Sequence, residues 1–322
     1  MSKVDAAPPR FSIVMPVFNC AEFLRLSLDS LVRQSFGDWE AVCVDDGSTD
    51  GSAVVLDEYA RRDPRFRVIH QANAGVAAAR NAALKSVRGE WVGFLDGDDM
   101  LDRRTFLLVD RAVREFPVSE IVGFGTKLID GNATDFGASD GGVVADARVC
   151  DVSERLPNVA LSFGFATRFY RRDLIEGCSF PPYRVGEDLV FMIAAMVRAK
   201  HAAWMSAALY GYRRPERRDR GDLAAVCDIA SFSRDALRIL VQSDRPVAAI
   251  EFRRYLKNVA KRTLCLIAAL PTADAEKAWP VWLEIADELA SLCGLPVWWR
   301  FRLRLARRIR RRLPARLLFR AF

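Results

Sequence analysis

The sequence predicts an α/β fold: a mixed, mainly parallel sheet flanked by helices, followed by a C-terminal helical extension. Three observations carry that expectation. A continuous apolar run at 11–17 reads as a strand buried on both faces, and further strands follow at 39–44, 66–70 and 91–95. Stretches of helical periodicity separate these segments, and strands alternating with helices imply parallel pairing. Beyond about residue 221 the pattern turns helical, with one break near Pro271.

The elements follow in order. FSIVMPV (11–17) is the first strand. Asn19 can cap the next helix, with Glu22 three residues on as in a capping box. Leu24, Leu28, Leu31 and Val32 form its apolar face. WEAVCV (39–44) is the second strand and runs into DDGSTD (45–50), a turn with several capping side chains, then a helix near 52–62. FRVIH (66–70) is the third strand, and an alanine-rich helix spans Asn73–Val87. WVGFL (91–95) is the fourth strand and ends on Asp96-Gly97-Asp98-Asp99. Residues 126–160, with GNATDFGASDGG, read as a loop or short strands. Residues 161–212 are mixed, with a helix from about Glu187 through Met196. The expected organisation is a disordered N-terminus over 1–9, one α/β domain over 10–215, a helical extension over 221–295 and a basic amphipathic tail over 296–322.

Length and composition suit one large α/β domain with an extension. The chain has 322 residues, 51% hydrophobic and 28% charged, which reads as globular. The net charge of +7 is not spread evenly. Residues 296–322 hold ten arginines and no acid, so the other 295 residues carry a net −3. The seven cysteines (20, 43, 150, 178, 227, 265, 293) are odd in number and contain no CxxC. Neither a disulfide framework nor a zinc site is indicated, and a reducing cytoplasm fits best. MSKVDAAPPR has no apolar stretch of the signal-peptide kind, and no run of about 18 apolar residues predicts a transmembrane helix.

Four groupings can carry chemistry. In Asp96-Gly97-Asp98-Asp99, three carboxylates within four residues repel one another unless a cation or a proton relieves them. Mg2+ or Mn2+ with oxygen ligands is the usual relief and can bridge to a diphosphate. Alone, such a cluster is more often a solvated acidic turn; here it ends a buried strand, where parallel sheets bind ligands. Asp45-Asp46 also follows an apolar strand. A carboxylate there can accept the N3–H of a uracil, or serve only as turn and cap chemistry. Arg80 is the long cation in NAGVAAARNAAL, suited to a phosphate through its planar fork or to an ordinary surface role. Gly186-Glu187-Asp188 precedes LVFMIAAM, and a carboxylate at a helix N-terminus is favoured in its charged form. That suits a general base, or simple N-capping. His70 and His201 have no ligand-like spacing. No GxSxG, Walker A or GxGxxG stretch occurs, which removes support for serine hydrolases, P-loop enzymes and dinucleotide binders.

The ordered set SIVMPVFN, EAVCVDDGSTDGS, NAGVAAARNAAL, GEWVGFLDGDD and GED closely resembles the family 2 glycosyltransferases of the GT-A fold. The resemblance covers roughly residues 10–213 and is of the bacterial, non-processive surface-polysaccharide type. It implies that Pro16, Val17 and Asp46 line the nucleotide pocket and that Arg80 approaches the diphosphate. It implies that Asp96 and Asp98 form the DxD pair near ribose and metal, with Asp99 a further metal ligand beside Asp98. Asp188 matches the family's base, and the implied cofactor is Mn2+ or Mg2+. Such enzymes invert the anomeric centre in one displacement: the base deprotonates an acceptor hydroxyl, which attacks C1. FATRFYRRDLI (165–175) resembles the KLYRR-like run on the acceptor side, with Arg168 and Phe169 where lysine and leucine are commoner; Arg168, Tyr170 and Glu187 are the acceptor-side expectations. Tyr210-x-Tyr212-Arg213 resembles the closing YxYR segment, which can reach the donor phosphates. The processive members' QxxRW motif and membrane helices are not seen, which favours single-sugar addition.

The tail VWWRFRLRLARRIRRRLPARLLFR (297–320) places Trp298, Phe301, Leu305, Ile309 and Leu313 at helical spacing, interrupted by Arg302 and Arg312 and broken at Pro314. Tryptophans and arginines without acids suit an anionic membrane surface. The other readings are a tail packed on the body or nonspecific nucleic-acid contact. The expected function is therefore transfer from a nucleotide-sugar to a cell-surface glycan or lipid-linked acceptor, at the cytoplasmic face of the membrane, with no specific nucleic-acid partner. The alternatives are a soluble or protein acceptor, or a non-catalytic nucleotide-sugar or nucleic-acid binding module.

Overall fold

The computed structural model describes residues 7–130, 133, 136, 148–152, 165–213, 223–243, 274, 276–278 and 280. The break expected near Pro271 and the tail 296–322 lie outside these. The chain forms two units, Met1–Pro182 with Arg198–Glu216, and Tyr183–Val197 with Arg217–Phe322.

The first unit is built on one mixed sheet. Its strands are β1 (Phe11–Val17), β2 (Trp39–Asp45), β3 (Phe66–His70), β4 (Trp91–Phe94), β5 (Met100–Leu101), β6 (Ile121–Ile129), β7 (Arg148–Asp151), β8 (Arg168–Arg171) and β9 (His201–Arg213). The order is β3-β2-β1-β4-β8-β6-β9-β5, with β7 also paired to β9. The half β3-β2-β1-β4 is parallel throughout, as the βα alternation requires. β8 pairs antiparallel with both β4 and β6, and β9 runs parallel to β6. It follows that β1, β2, β4, β6 and β9 all point their carboxyl ends to the same edge. β6 runs on to Ile129, inside the stretch read as irregular, because its outer half finds a parallel partner in β9.

Helices α1 (Ala21–Val32), α2 (Ser52–Arg62), α3 (Val76–Leu84) and α4 (Thr105–Glu115) flank the sheet. Phe106 of α4 packs on Phe11 at 5.4 Å and Phe169 at 5.9 Å between ring centroids. Burying each such ring stabilises by roughly 1.5–3 kcal/mol. On the opposite face Phe94 meets Phe165 at 5.0 Å and Phe180 at 5.7 Å, under α3. In α1, Leu24, Leu28 and Leu31 are buried as the periodicity predicts, whereas Val32 is exposed. α3 is shorter than the expected 73–87: Gly75, at φ +89°, turns the chain into it, and the preceding N–H groups are held by Asp46.

At the opposite edge, Glu40 ties the strands together. Its buried carboxylate accepts from Ser12 Oγ at 2.7 Å, the Arg88 N–H at 2.7 Å and Arg67 Nη1 at 3.2 Å. Burial alone raises its affinity for a proton, but these donors hold it below the ordinary glutamate value.

The second unit contains α5 (Glu187–Arg198, through Val197) and α6 (Leu223–Gln242). The segment before α5 is fastened to α6: Tyr183 Oη donates to Asp235 at 2.6 Å and the Arg184 N–H to Asp228 at 2.8 Å. Among the described residues no helix is long and apolar enough to cross a membrane.

Candidate active site

The acidic cluster follows β4 and lies against the end of β1. A Cβ added at Gly97 would stand 2.6 Å from Cys20 Sγ and 3.6 Å from the Pro16 carbonyl oxygen. Only glycine permits that approach. The Ser27 hydroxyl, from α1, lies within hydrogen-bonding reach of the Gly97 and Asp99 carbonyls. The three carboxylates have different surroundings. The Asp96 side chain is 34% exposed and accepts from Arg80 Nη2 at 2.8 Å. Asp98 is half-buried. Asp99 is 1% exposed; it accepts from Tyr210 Oη at 2.6 Å and from the Arg213 N–H at 2.8 Å. Burial, reinforced by the charges of Asp96 and Asp98, pushes Asp99 up to about 8, against the pull of those two donors.

Arg80 is buried rather than superficial. Its guanidinium lies 4.5 Å from the Phe165 ring centroid and 5.4 Å from that of Phe180, with its charge delivered to Asp96. Because Asp96 is partly solvated, losing this pair costs less than the roughly 3–5 kcal/mol typical of a fully buried one. Asp46, 2% exposed, accepts from Gln71 Nε2 at 2.7 Å and from the Ala74 and Gly75 N–H groups at 2.9 and 2.8 Å. It therefore shapes the loop before α3. Pro16 and Val17 are buried at the end of β1, and the half-exposed side chain there is Phe18.

The closing YxYR segment behaves differently from its sequence expectation. Tyr210 and Arg213 are 2% and 3% exposed and are committed to the acidic turn, not turned outward to phosphates. The reason is topological: β9 ends at the same edge as β4. Arg168 and Tyr170 also depart from the acceptor-side expectation. Both have 0% exposure, because β8 sits between β4 and β6 with both faces covered. Burial lowers the Arg168 pKa, and its guanidinium lies 5.2 Å from the Trp204 ring centroid. Neither side chain offers a surface to an acceptor.

In the second unit Glu187 and Asp188 open α5, as the sequence predicts. Asp188 is half-buried and its Oδ1 accepts the Leu189 N–H at 2.8 Å. Glu187 is buried.

Residues 12–124 match the sequence profile described as glycosyl transferase family 2. Over those residues the chain is similar to that family. Glycosyltransferase EpsJ of Bacillus subtilis strain 168 is 32% identical over 216 residues, covering 64% of this chain and 61% of EpsJ. The chain thus spans about three-fifths of that relative's length. Among solved structures, S. aureus TarS 1–349 in complex with UDP-GlcNAc superposes with a TM-score of 0.72 at 20% identity, over 97% of this chain and 90% of that one. The mannosyltransferase PcManGT of Pyrobaculum calidifontis, in complex with GDP-Man and Mn2+, gives a TM-score of 0.54 at 19% identity over 91% and 90% of the two chains. These likenesses establish the fold.

Several residues at this acidic edge carry no local sequence signal: Cys20 against Gly97, Ser27 on the turn's carbonyls, and Phe165 and Phe180 beside Arg80. The YxYR pattern marks Tyr210 and Arg213 and the acidic run marks Asp99, but no local pattern pairs them.

Proposed function

We propose that the chain is an inverting glycosyltransferase that moves one sugar from a UDP-sugar to a hydroxyl of a cell-surface glycan or lipid-linked acceptor. The observation that carries this reading is the convergence of Asp46, Arg80 and the Asp96–Asp99 turn on one carboxyl edge of a parallel sheet. UDP-GlcNAc in TarS and GDP-Man with Mn2+ in PcManGT support a nucleotide-sugar donor and a divalent cation.

In this reading the ends of β1 and β2 form the floor of the nucleotide site, with Pro16, Val17 and Asp46 beneath the base. A carboxylate has about four lone-pair positions, so Asp46 can take a base N–H beyond its three protein donors. Arg80 fixes Asp96 toward the ribose and brings positive charge to the diphosphate side. The chemistry of the turn fits a cation: oxygen-only donors, with Asp98 half-buried between two engaged neighbours. Among the described residues no three acidic, histidine or cysteine side chains could hold a metal by themselves; in this reading Asp98 would hold Mn2+ or Mg2+ only with the donor's oxygens to complete the site. We assign Asp99 to the turn's internal structure, with Asp98 the primary ligand. When bound, such an ion would offset the charge of the departing diphosphate.

Asp188, at the N-terminus of α5 where the helix dipole favours negative charge, takes the proton of the acceptor hydroxyl in this reading. The freed oxygen attacks C1 from the face opposite the diphosphate. The C1–O bond breaks, and its electron pair leaves with the nucleoside diphosphate. We place the protein at the inner face of the cell membrane, peripherally, through residues 297–320, whose arginines and tryptophans support that placement.

The test is donor turnover. The chain should hydrolyse a UDP-sugar slowly in Mn2+, and Asp98→Ala should abolish this. Asp188→Asn should bind UDP normally and lose about 10²–10⁴-fold in transfer rate. An Asp188→Asn enzyme that transfers sugar at the original rate removes Asp188 as the base.

A further inference from the structure

We infer that Tyr210 and Arg213 are positioning residues, holding the donor-side acidic turn in its binding shape, Tyr210 through the Asp99 carboxyl group and the Arg213 side chain through the Asp98 carbonyl. The inference rests on the proposed reading of that turn as the donor and cation site. Three carboxyl groups crowd four residues, and Asp96 and Asp98 stand two residues apart, so something must fix where each one points. Arg80 takes Asp96 at 2.8 Å. The Tyr210 hydroxyl spans both ends of the turn: it donates to Asp99 Oδ2 at 2.6 Å and accepts the Asp96 N–H at 3.4 Å. Arg213 completes the hold. Its N–H donates to Asp99 Oδ1 at 2.8 Å and its Nε to the Asp98 carbonyl at 2.8 Å. Its two other nitrogens donate to the Asp130 and Ala133 carbonyls, both at 3.1 Å, and its guanidinium lies 4.5 Å from the Phe23 ring centroid.

One buried arginine thus joins the acidic turn to the ends of β6 and β9 and the start of α1. Asp99 is drawn inward, Asp96 is drawn to α3, and Asp98 between them keeps partial access to solvent. If the Tyr210 hydroxyl is lost, Asp99 retains one donor inside the protein. A buried carboxylate so deprived moves toward water. Asp98 is its chain neighbour and moves with it, so the cation-supported part of nucleotide binding weakens.

The experiment is calorimetric titration of UDP into the full chain, with and without Mn2+. Tyr210→Phe should keep its melting temperature within a few degrees and lose about tenfold in the Mn2+-supported affinity for UDP, with metal-free binding unchanged. Asp99→Asn should lose a similar factor. The double variant should lose little more than either single one, because both act through the same contact. Should Tyr210→Phe unfold early, Arg213→Lys asks the same question, since lysine keeps the charge and loses the fork that spans three carbonyls. Wild-type Mn2+ dependence in the folded Tyr210→Phe or Arg213→Lys protein overturns the inference. So does a double-variant loss equal to the product of the single losses. If the unaltered chain shows no Mn2+-dependent UDP binding, the reading of the turn itself fails, and the inference falls with it.

Discussion

Gly97 is the point where the acidic turn comes closest to the rest of the fold. Cys20 stands directly behind it, and its thiol is pushed up to about 12 by burial and then by Asp98 and Asp50. At neutral pH it is a protonated spacer rather than a nucleophile. Adding a methyl group at 97 forces an atom to 2.6 Å from Cys20 Sγ. Gly97→Ala should therefore destabilise by about 1–3 kcal/mol, the usual cost of overpacking. Thermal or urea unfolding measures it. Cys20→Ala removes the sulfur, so the same glycine change should cost much less in that background. An equal cost in both backgrounds would assign the effect to the backbone instead of the contact. The presence of a glycine inside the acidic run is plain from the sequence; the sulfur it accommodates comes from a position 77 residues earlier in the chain.

At the scale of elements, α1 shows how a local rule is overtaken by a distant loop. Asn19 with Glu22 has the spacing of a capping box, and the structure caps the helix otherwise. Asn19 adopts φ +48° and turns its Oδ1 to the Thr49 N–H at 2.8 Å. The Ala21 N–H at the helix start donates to Asp50 Oδ2 at 2.9 Å, and the Cys20 N–H to Ser52 Oγ at 3.1 Å. The DGSTD turn, read as the cap of the following helix, serves both helices, since Asp50 Oδ1 also accepts the Ser52 N–H at 3.0 Å. Asp50→Ala should cost about 1 kcal/mol, within the range of lost N-caps. Asn19→Ala should affect the 45–50 turn and leave α1 helicity nearly intact. Burial tends to raise the Asp50 pKa, but the bonds from Ser52 and Ala21 bring it below its ordinary value. The stability it gives is then present above the unfolded pKa and is lost as pH falls through the lower folded one. The strands of the parallel half were legible because burial on both faces leaves continuous apolar runs. The antiparallel insertion of β8 and the β6–β9 pairing were not, since they join residues 45 or more apart by register that no local period encodes. The acid clusters were legible for the same reason as the strands they end. Which carboxylate is solvent-facing depends on Arg80, Tyr210 and Arg213, and those partners come from elements far along the chain.

For the molecule as a whole, the charge is divided by position. Ten arginines and no acids in 296–322 stand beside a net −3 in the remaining residues. A near-neutral body has little reason to attract a polyanion, whereas such a tail does. Its arginines are interleaved with Trp298, Trp299, Phe301 and Ile309, a mixture suited to the headgroup region of an anionic bilayer. A lipid-linked acceptor would then be met by an enzyme already at its surface. Vesicle flotation separates this from the other readings of the tail. The full chain should float with vesicles containing anionic phospholipid and stay behind with neutral ones. Replacing Arg307, Arg308, Arg310, Arg311 and Arg312 by glutamine in the full chain should reduce binding by roughly 1 kcal/mol per charge removed near the surface. Binding should also fall with salt, because the Debye length shrinks from about 10 Å at 0.1 M to about 3 Å at 1 M. Equal flotation of the two proteins on anionic vesicles would show that these arginines do not dock the chain. Retained UDP binding by the substituted protein would show that the loss lies in docking and leaves the donor site intact.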